Sequence, residues 1–324
     1  MSEENDIKNQ VARAQGCLLG QLSGDALGSL VEFQTPEEIR LRYPDGVREL
    51  ADGGTYNTLA GQPTDDSEMA LLLARMLIKR GFYDRNAAFD AYVYWLESGP
   101  FDCGGTIYSA LRGNLNHTSQ ANGAMMRISP LGIFGARHEA HEVAEWASLD
   151  ASLTHPHPIC LQSNALFAMA IAHAIKTGTD PQSLYRTILE WACEMKTDLD
   201  LLTVIRRASE APPTDYIRQQ GWVLIAFGNA LWQLLHSSDL EEGIIDTVMR
   251  GGDTDTNAAI CGALLGSVYG LESVPKRWGK QVLDCRPEAG NLNVHQPRPE
   301  CFWPTDALDL ANHLITGRDS TESG

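Results

Sequence analysis

Positive charge is scarce in this chain. It carries 25 Lys and Arg against 42 Asp and Glu, a formal net charge of −17 and a pI near 4.9. General binders of nucleic acid or of anionic membranes need basic surface, so the charge argues against those classes. A cysteine pattern is missing as well. Cys17, Cys103, Cys160, Cys193, Cys261, Cys285 and Cys301 are scattered, odd in number, and include no C-x-x-C pair. This speaks against a disulfide framework or a thiolate zinc site and fits reduced thiols in a cytoplasmic protein. The longest smooth stretch, 258–271, is shorter than the roughly 20 apolar residues of a membrane-spanning helix. The start, "MSEENDIKNQ", is too polar and acidic for a secretory signal. Alternating β-branched runs between tight turns are nearly absent, which argues against a sheet.

What is present is helical. "SEMALLLARMLIKRG" follows Thr64-Asp65-Asp66 and closes on Lys79, Arg80 and Gly81, with both start and stop signals of a helix. "HEVAEWASLDASL", "SNALFAMAIAHAIKTG", "PQSLYRTILEWACEM", "GWVLIAFGNALWQLLH" and "LEEGIIDTVMR" repeat apolar residues at helical spacing. The prediction is an all-α, compact single-domain fold over 13–316. A polar N-terminal extension, 1–12, precedes it, and a disordered tail, 317–324, follows. Gly/Pro-rich loops at 43–64, 98–106, 114–132 and 284–304 are where such a fold keeps a site. Gly16, Gly20, Gly24 and Gly28 recur every fourth residue, as do Gly262, Gly266 and Gly270. A stripe of this kind predicts very close helix–helix approach at the centre of the fold.

Acidic residues cluster twice, in "PTDDSEMA" and in "GGDTDTNAA", each where a loop opens a helix. A Thr-Asp-Asp at a helix start also serves as an ordinary N-cap. The second cluster is harder to explain that way, because Asp253 and Asp255 repel one another unless a cation sits among them. An EF-hand loop would need Gly at Ala258 and Glu at Leu264, and has neither. A D-x-D phosphatase of the haloacid dehalogenase type needs a buried strand before the motif, where "VMRGG" stands. An all-oxygen donor set selects Mg²⁺ or Mn²⁺ over zinc. Two clusters suggest two ions, about 3.5–4 Å apart in such sites.

Together, "GCLLGQLSGDALGSLVE", "PTDDSEMALLLA", "FDCGGTIYSAL", "NGAMMRISPLGIF", "SLTHPHPICLQSNALFAMA" and "GGDTDTNAAICGALLGSVYG" resemble the ADP-ribosylglycohydrolases. The resemblance runs in order from about Gly16 to Gly270. It implies a central two-metal cleft holding two Mg²⁺ or Mn²⁺ ions, and removal of ADP-ribose from modified side chains. By resemblance, Thr64, Asp65, Asp66, Asp253, Asp255 and Thr256 are metal ligands, and Thr254 is not. Glu32 helps position the ions or the attacking water, Asp102 lies near the scissile bond, and Asp255 joins them as a catalytic acid. Gly104 and Gly105 let backbone amides approach the diphosphate. Asn122, Gly123, Arg127 and Ser129 form the loop beside the distal ribose and phosphates, and His155 lines the ADP-ribose cleft. Gly105 stands where many members carry a more polar residue.

The expected reaction is metal-dependent hydrolysis of the N-glycosidic bond to arginine on an ADP-ribosylated protein. The alternatives are a serine-linked or small-molecule conjugate, or an immunity protein that blocks and reverses an ADP-ribosylating toxin. Neither nucleic acid nor membrane is an expected partner.

Overall fold

A computed structural model describes residues 3–317. Fifteen α-helices form among the described residues. In order they are α1 (Glu3–Gly28), α2 (Pro36–Arg42), α3 (Asp65–Arg80), α4 (Arg85–Glu97), α5 (Gly105–Leu111), α6 (Ser129–Gly135), α7 (Ala140–Ser152) and α8 (Pro158–Thr177). There follow α9 (Pro181–Glu194), α10 (Leu199–Arg207), α11 (Val223–His236), α12 (Leu240–Val248), α13 (Thr254–Tyr269), α14 (Lys276–Asp284) and α15 (Ala307–Thr316). Among the described residues no strand forms; the pairs Gly53–Thr58 and Ala121–Trp222 make isolated bridges only. The fold is all-α and a single domain, as the periodicity predicts. α3 starts at Asp65 and stops on Gly81, whose φ of +72° gives a left-handed cap. α8 starts before "SNALF", because Pro158 occupies its first turn and His157 caps it through Nδ1 to Ile159 N.

The polar extension is no separate element: α1 begins at Glu3 and runs unbroken through residue 12. The expected disordered tail lies outside the described residues apart from Gly317, which caps α15. The reading of apolar runs needs one correction. α8 is long and apolar enough to cross a membrane by length and composition, but 78% of its apolar stretch is buried within the fold, so it is a core helix.

α1 and α13 lie antiparallel at the centre. α8, α11 and α12 cover α13, while α15, α14 and α6 cover α1. The glycine stripes make this pairing possible. Gly16 faces Gly266 and Gly270, Gly20 faces Gly262, Gly24 faces Ala258, and Gly28 faces Asp255, so that a Cβ on the α1 glycines would strike partner backbone. A glycine inside a helix costs about 1 kcal/mol relative to alanine. Here that cost is offset by backbone contact from Gly16 to Gly28 on α1 and along α13, which fixes α1's C-terminus against the first turn of α13. The C-terminal loop is pinned to α3 by a buried ion pair. Arg298 donates from Nε and Nη2 to Glu68 at 2.8 Å, and Trp95 Nε1 joins at 2.8 Å.

Candidate active site

α3 and α13 deliver the two acidic clusters, and both open without a conventional cap. Thr64 is the N-cap of α3 and Asp253 that of α13, and neither side chain bonds its own helix end. The Thr64 hydroxyl lies 2.9 Å from Asp25 Oδ1 and 3.0 Å from Asp66 Oδ2, sharing its single proton between them. Asp25, on α1, does the capping instead: its carboxylate accepts from Thr64 N and Ser67 N, both at 3.2 Å. The ordinary cap reading of Thr-Asp-Asp therefore fails, because these oxygens are turned to another use. On the other side, Gly251 and Gly252 both have positive φ (+73° and +77°), and a Cβ at either would strike a backbone oxygen, of Gln34 or of Tyr216. That double bend aims Asp253, whose Oδ2 accepts from Asn122 Nδ2 at 2.7 Å. Thr254 is fully buried and its hydroxyl donates to Gly28 O at 2.7 Å, tying α13 to α1.

The clusters meet in a cleft of about 290 Å³. Glu32, Asp65, Asp102, Asp253, Thr256, Gly104, Gly105, Asn122, Gly123 and His155 all line it. Thr64, Asp66 and Asp255 sit behind that lining, but carboxylate oxygens of Glu32, Asp102 and Asp255 come within 4.8 Å of one another. Arg127 and Ser129 do not line the cleft. Arg127 is fully buried: Nε donates to Asp150 Oδ1, Nη2 to Asp150 O and Nη1 to Gly123 O, each at 3.2 Å, and its plane lies 4.3 Å from the Tyr92 ring. The guanidinium is thus committed to holding the 122–128 loop from beneath. Ser129 opens α6 and donates to the buried Gln21 on α1.

Electrostatics set this cleft apart. Burial, reinforced by Asp102 and Asp253, pushes the Glu32 carboxyl up to about 9. Burial pushes Asp25 up to about 7, despite its hydrogen bonds to Ser67 and Thr64. Asp65, Asp66 and Asp255 are raised well above the usual carboxylate range, by burial first and by neighbouring carboxylates next. Glu32 Oε2, Asp66 Oδ1 and Asp255 Oδ2 are buried with no hydrogen-bond partner. Buried acceptor oxygens without donors are costly unless a cation satisfies them. The residues present therefore fit a hard divalent cation. His155 is held neutral, its imidazole pushed down to about 3 by burial and then by Arg127. Its Nδ1 lies 2.8 Å from Thr154 Oγ1, and its buried Nε2 has no protein partner.

Several lining or supporting residues escape a reading by motif. Asp25 stands inside "LSGDALG", and a charged residue within an apolar glycine stripe was the available signal. Tyr56 reaches the cluster from the 51–64 loop, its hydroxyl pushed up by burial and by Glu32 and Asp102. Gln220 and Gly221 close one wall, and Gly221 O accepts from Asn122 N at 2.9 Å.

A family model described as ADP-ribosylglycohydrolase matches residues 6–319. The ADP-ribosyl-dinitrogen reductase glycohydrolase of Rhodospirillum rubrum is 30% identical over 276 residues, covering 82% of this chain and 88% of that protein. ADP-ribosylarginine hydrolase Tri1 of Pseudomonas putida is 28% identical over 326 residues, covering 94% of this chain and 82% of its own. A solved structure titled "ADP-ribosylglycohydrolase-related protein complex" superposes with a TM-score of 0.77 at 27% identity, over 95% of this chain and 99% of that one.

Proposed function

The chain belongs to the ADP-ribosylglycohydrolase family, and from that premise we propose that it removes ADP-ribose from modified protein side chains, acting on the N-glycosidic bond to arginine. The observation that carries this reading is the set of buried, partnerless carboxylate oxygens around one cleft. Thr64, Asp65, Asp66, Asp253, Asp255 and Thr256 would hold two Mg²⁺ or Mn²⁺ ions. Bound there, the ions supply Lewis-acid charge and the positive field that an anionic substrate needs in an acidic protein. The relative named as an ADP-ribosylarginine hydrolase supports the arginine linkage.

The chain's own groups supply orientation and proton control. Asn122 fixes the rotamer of Asp253. Neutral His155 offers Nε2 to a substrate hydroxyl without adding charge. Gly104 and Gly105 carry no Cβ and open space surrounds them, so the N–H groups of the first turn of α5 are accessible to phosphate oxygens. With cations holding the surrounding carboxylates ionised, the Glu32 carboxylate takes a proton from the attacking water as the water oxygen bonds the anomeric carbon. The C–N pair returns to the guanidino nitrogen, which Asp102 holds at the rim. Positive charge on the opening ribose is stabilised by the surrounding carboxylates, as in glycosidases generally.

Incubation with defined arginine- and serine-linked ADP-ribosyl peptides, with Mg²⁺ and with EDTA, tests the reading. Mg²⁺-dependent release from the arginine peptide is expected, with loss of release in Asp65→Ala and Asp253→Ala and a retained helical spectrum. Undiminished release by both variants would sink it, and release from the serine peptide alone would move the linkage. Protection against a toxin by the inactive variants would favour the blocking role instead.

A further inference from the structure

Phe33 is at odds with its backbone. Its φ is +66°, in the left-handed region, and the residue is 56% exposed. A bulky side chain is disfavoured there, whereas Gly or Asn fits without strain. Burial does not compensate, since over half of the residue's surface is in solvent. Backbone pairing imposes the conformation: Phe33 N donates to Gly252 O at 2.7 Å, and Gly252 N donates to Gln34 O at 3.0 Å. The strained residue is therefore locked to the loop that carries Asp253. Phe33 lines the cleft, and among the described residues no aromatic ring or cation stacks on its ring. Strain held at a site by surrounding structure points to a role there.

The position decides which part of a substrate the ring meets. Phe33 follows Glu32, whose carboxylate lies within 4.8 Å of those of Asp102 and Asp255. Glu32 and Asp102 are the acids assigned above to the attacking water and to the leaving nitrogen, so this end of the cleft is where the glycosidic bond is cut and the side chain departs. A guanidinium is planar and cationic and stacks on aromatic faces, whereas a serine hydroxyl offers no such plane. We propose that Phe33 is a specificity-determining residue whose ring is the wall for the guanidinium of the modified arginine, with Asp102 accepting its N–H groups. The inference rests on the arginine reading given above.

Phe33→Asn removes the ring and suits the backbone, while Phe33→Tyr keeps the aromatic face. Mg²⁺-loaded wild type and both variants are assayed on arginine- and serine-linked peptides, with free ADP-ribose binding by calorimetry and thermal midpoints in parallel. In Phe33→Asn the KM for the arginine peptide rises roughly 3- to 30-fold, the span of a cation–π contact. Phe33→Tyr restores it. Free ADP-ribose affinity is unchanged, and the Phe33→Asn midpoint is not lowered. An unchanged KM, an equal loss of ADP-ribose affinity, or a lowered midpoint overturns the inference. Wild type that cleaves arginine peptide while Phe33→Asn matches it sinks this inference alone; wild type that leaves arginine peptide intact sinks the arginine reading and takes the guanidinium wall with it.

Discussion

At the scale of single residues, the cleft separates side chains that face the substrate from those that hold others in place. Arg127 belongs to the second kind. Its guanidinium is fully buried and paired with Asp150, which Tyr92 also contacts at 3.0 Å. Removing one partner of a buried ion pair leaves a bare charge and costs about 3–5 kcal/mol. Arg127→Met is expected to lose stability of that order in chemical denaturation, while the folded fraction binds free ADP-ribose with unchanged Kd. A phosphate-binding arginine would give the reverse. The reason Arg127 misleads by sequence is physical: its partners Asp150 and Tyr92 lie on α7 and α4, and nothing in "NGAMMRISP" announces them. Thr64, Asp65 and Asp66 are legible because consecutive residues at a helix start share one location, whatever the rest of the fold does. Asp25 is harder to read, since its task of capping α3 from α1 exists only once those helices have met.

At the scale of elements, α1 and α13 show what local pattern does disclose. A four-residue glycine repeat means one smooth helix face, and the two stripes do face one another. Which glycine meets which is set by the antiparallel register, which a repeat alone leaves open. The same logic gives a prediction with opposed terms. Gly24→Ala gains about 1 kcal/mol in helix propensity. The new Cβ, however, would stand 2.5 Å from Ala258 C and closer still to its oxygen. Overpacking costs typically about 1–3 kcal/mol, and toward the upper end where the obstacle is backbone that no rotamer change can move. A net loss of about 1–2 kcal/mol is expected, read as a lower denaturation midpoint; a gain would mean the helices separate freely. The loops behave differently from the helices. Those at 43–64 and 98–106 contribute Tyr56 and Asp102 as their Gly/Pro content suggests. The stretch 211–222, which brings Gln220 and Gly221 to the cleft wall, carries Pro212, Pro213 and Gly221, but its place there is set by the pairing of Ala121 with Trp222, a contact distant in sequence.

At the scale of the whole molecule, the acidic balance concentrates into one titrating centre. Without cations, the carboxyls of Asp25 and Glu32 are raised to about 7 and about 9, and Asp65, Asp66 and Asp255 are raised too. Free carboxyls in an unfolded chain titrate near about 4. A folded-state pKa above the unfolded one favours folding fully below about pH 4 and loses that contribution as pH climbs through the folded value. The chelated protein should therefore weaken between about pH 4 and pH 9 as the crowded carboxylates are forced to ionise. A cation that binds only the folded chain works in the opposite direction: it needs those carboxylates ionised, so protons compete with it at low pH. Mg²⁺ at 100 times its Kd adds about 2.7 kcal/mol, on the order of 5 °C in a domain of this size. The difference in thermal midpoint between Mg²⁺-loaded and EDTA-treated protein is thus expected to be small at pH 5 and to widen to several degrees at pH 8. Surface charge changes equally in both samples, so the difference isolates the cleft. A gap that stays constant or narrows with rising pH would mean that the buried carboxylates are not where the cation binds, and Asp253→Ala should abolish the widening.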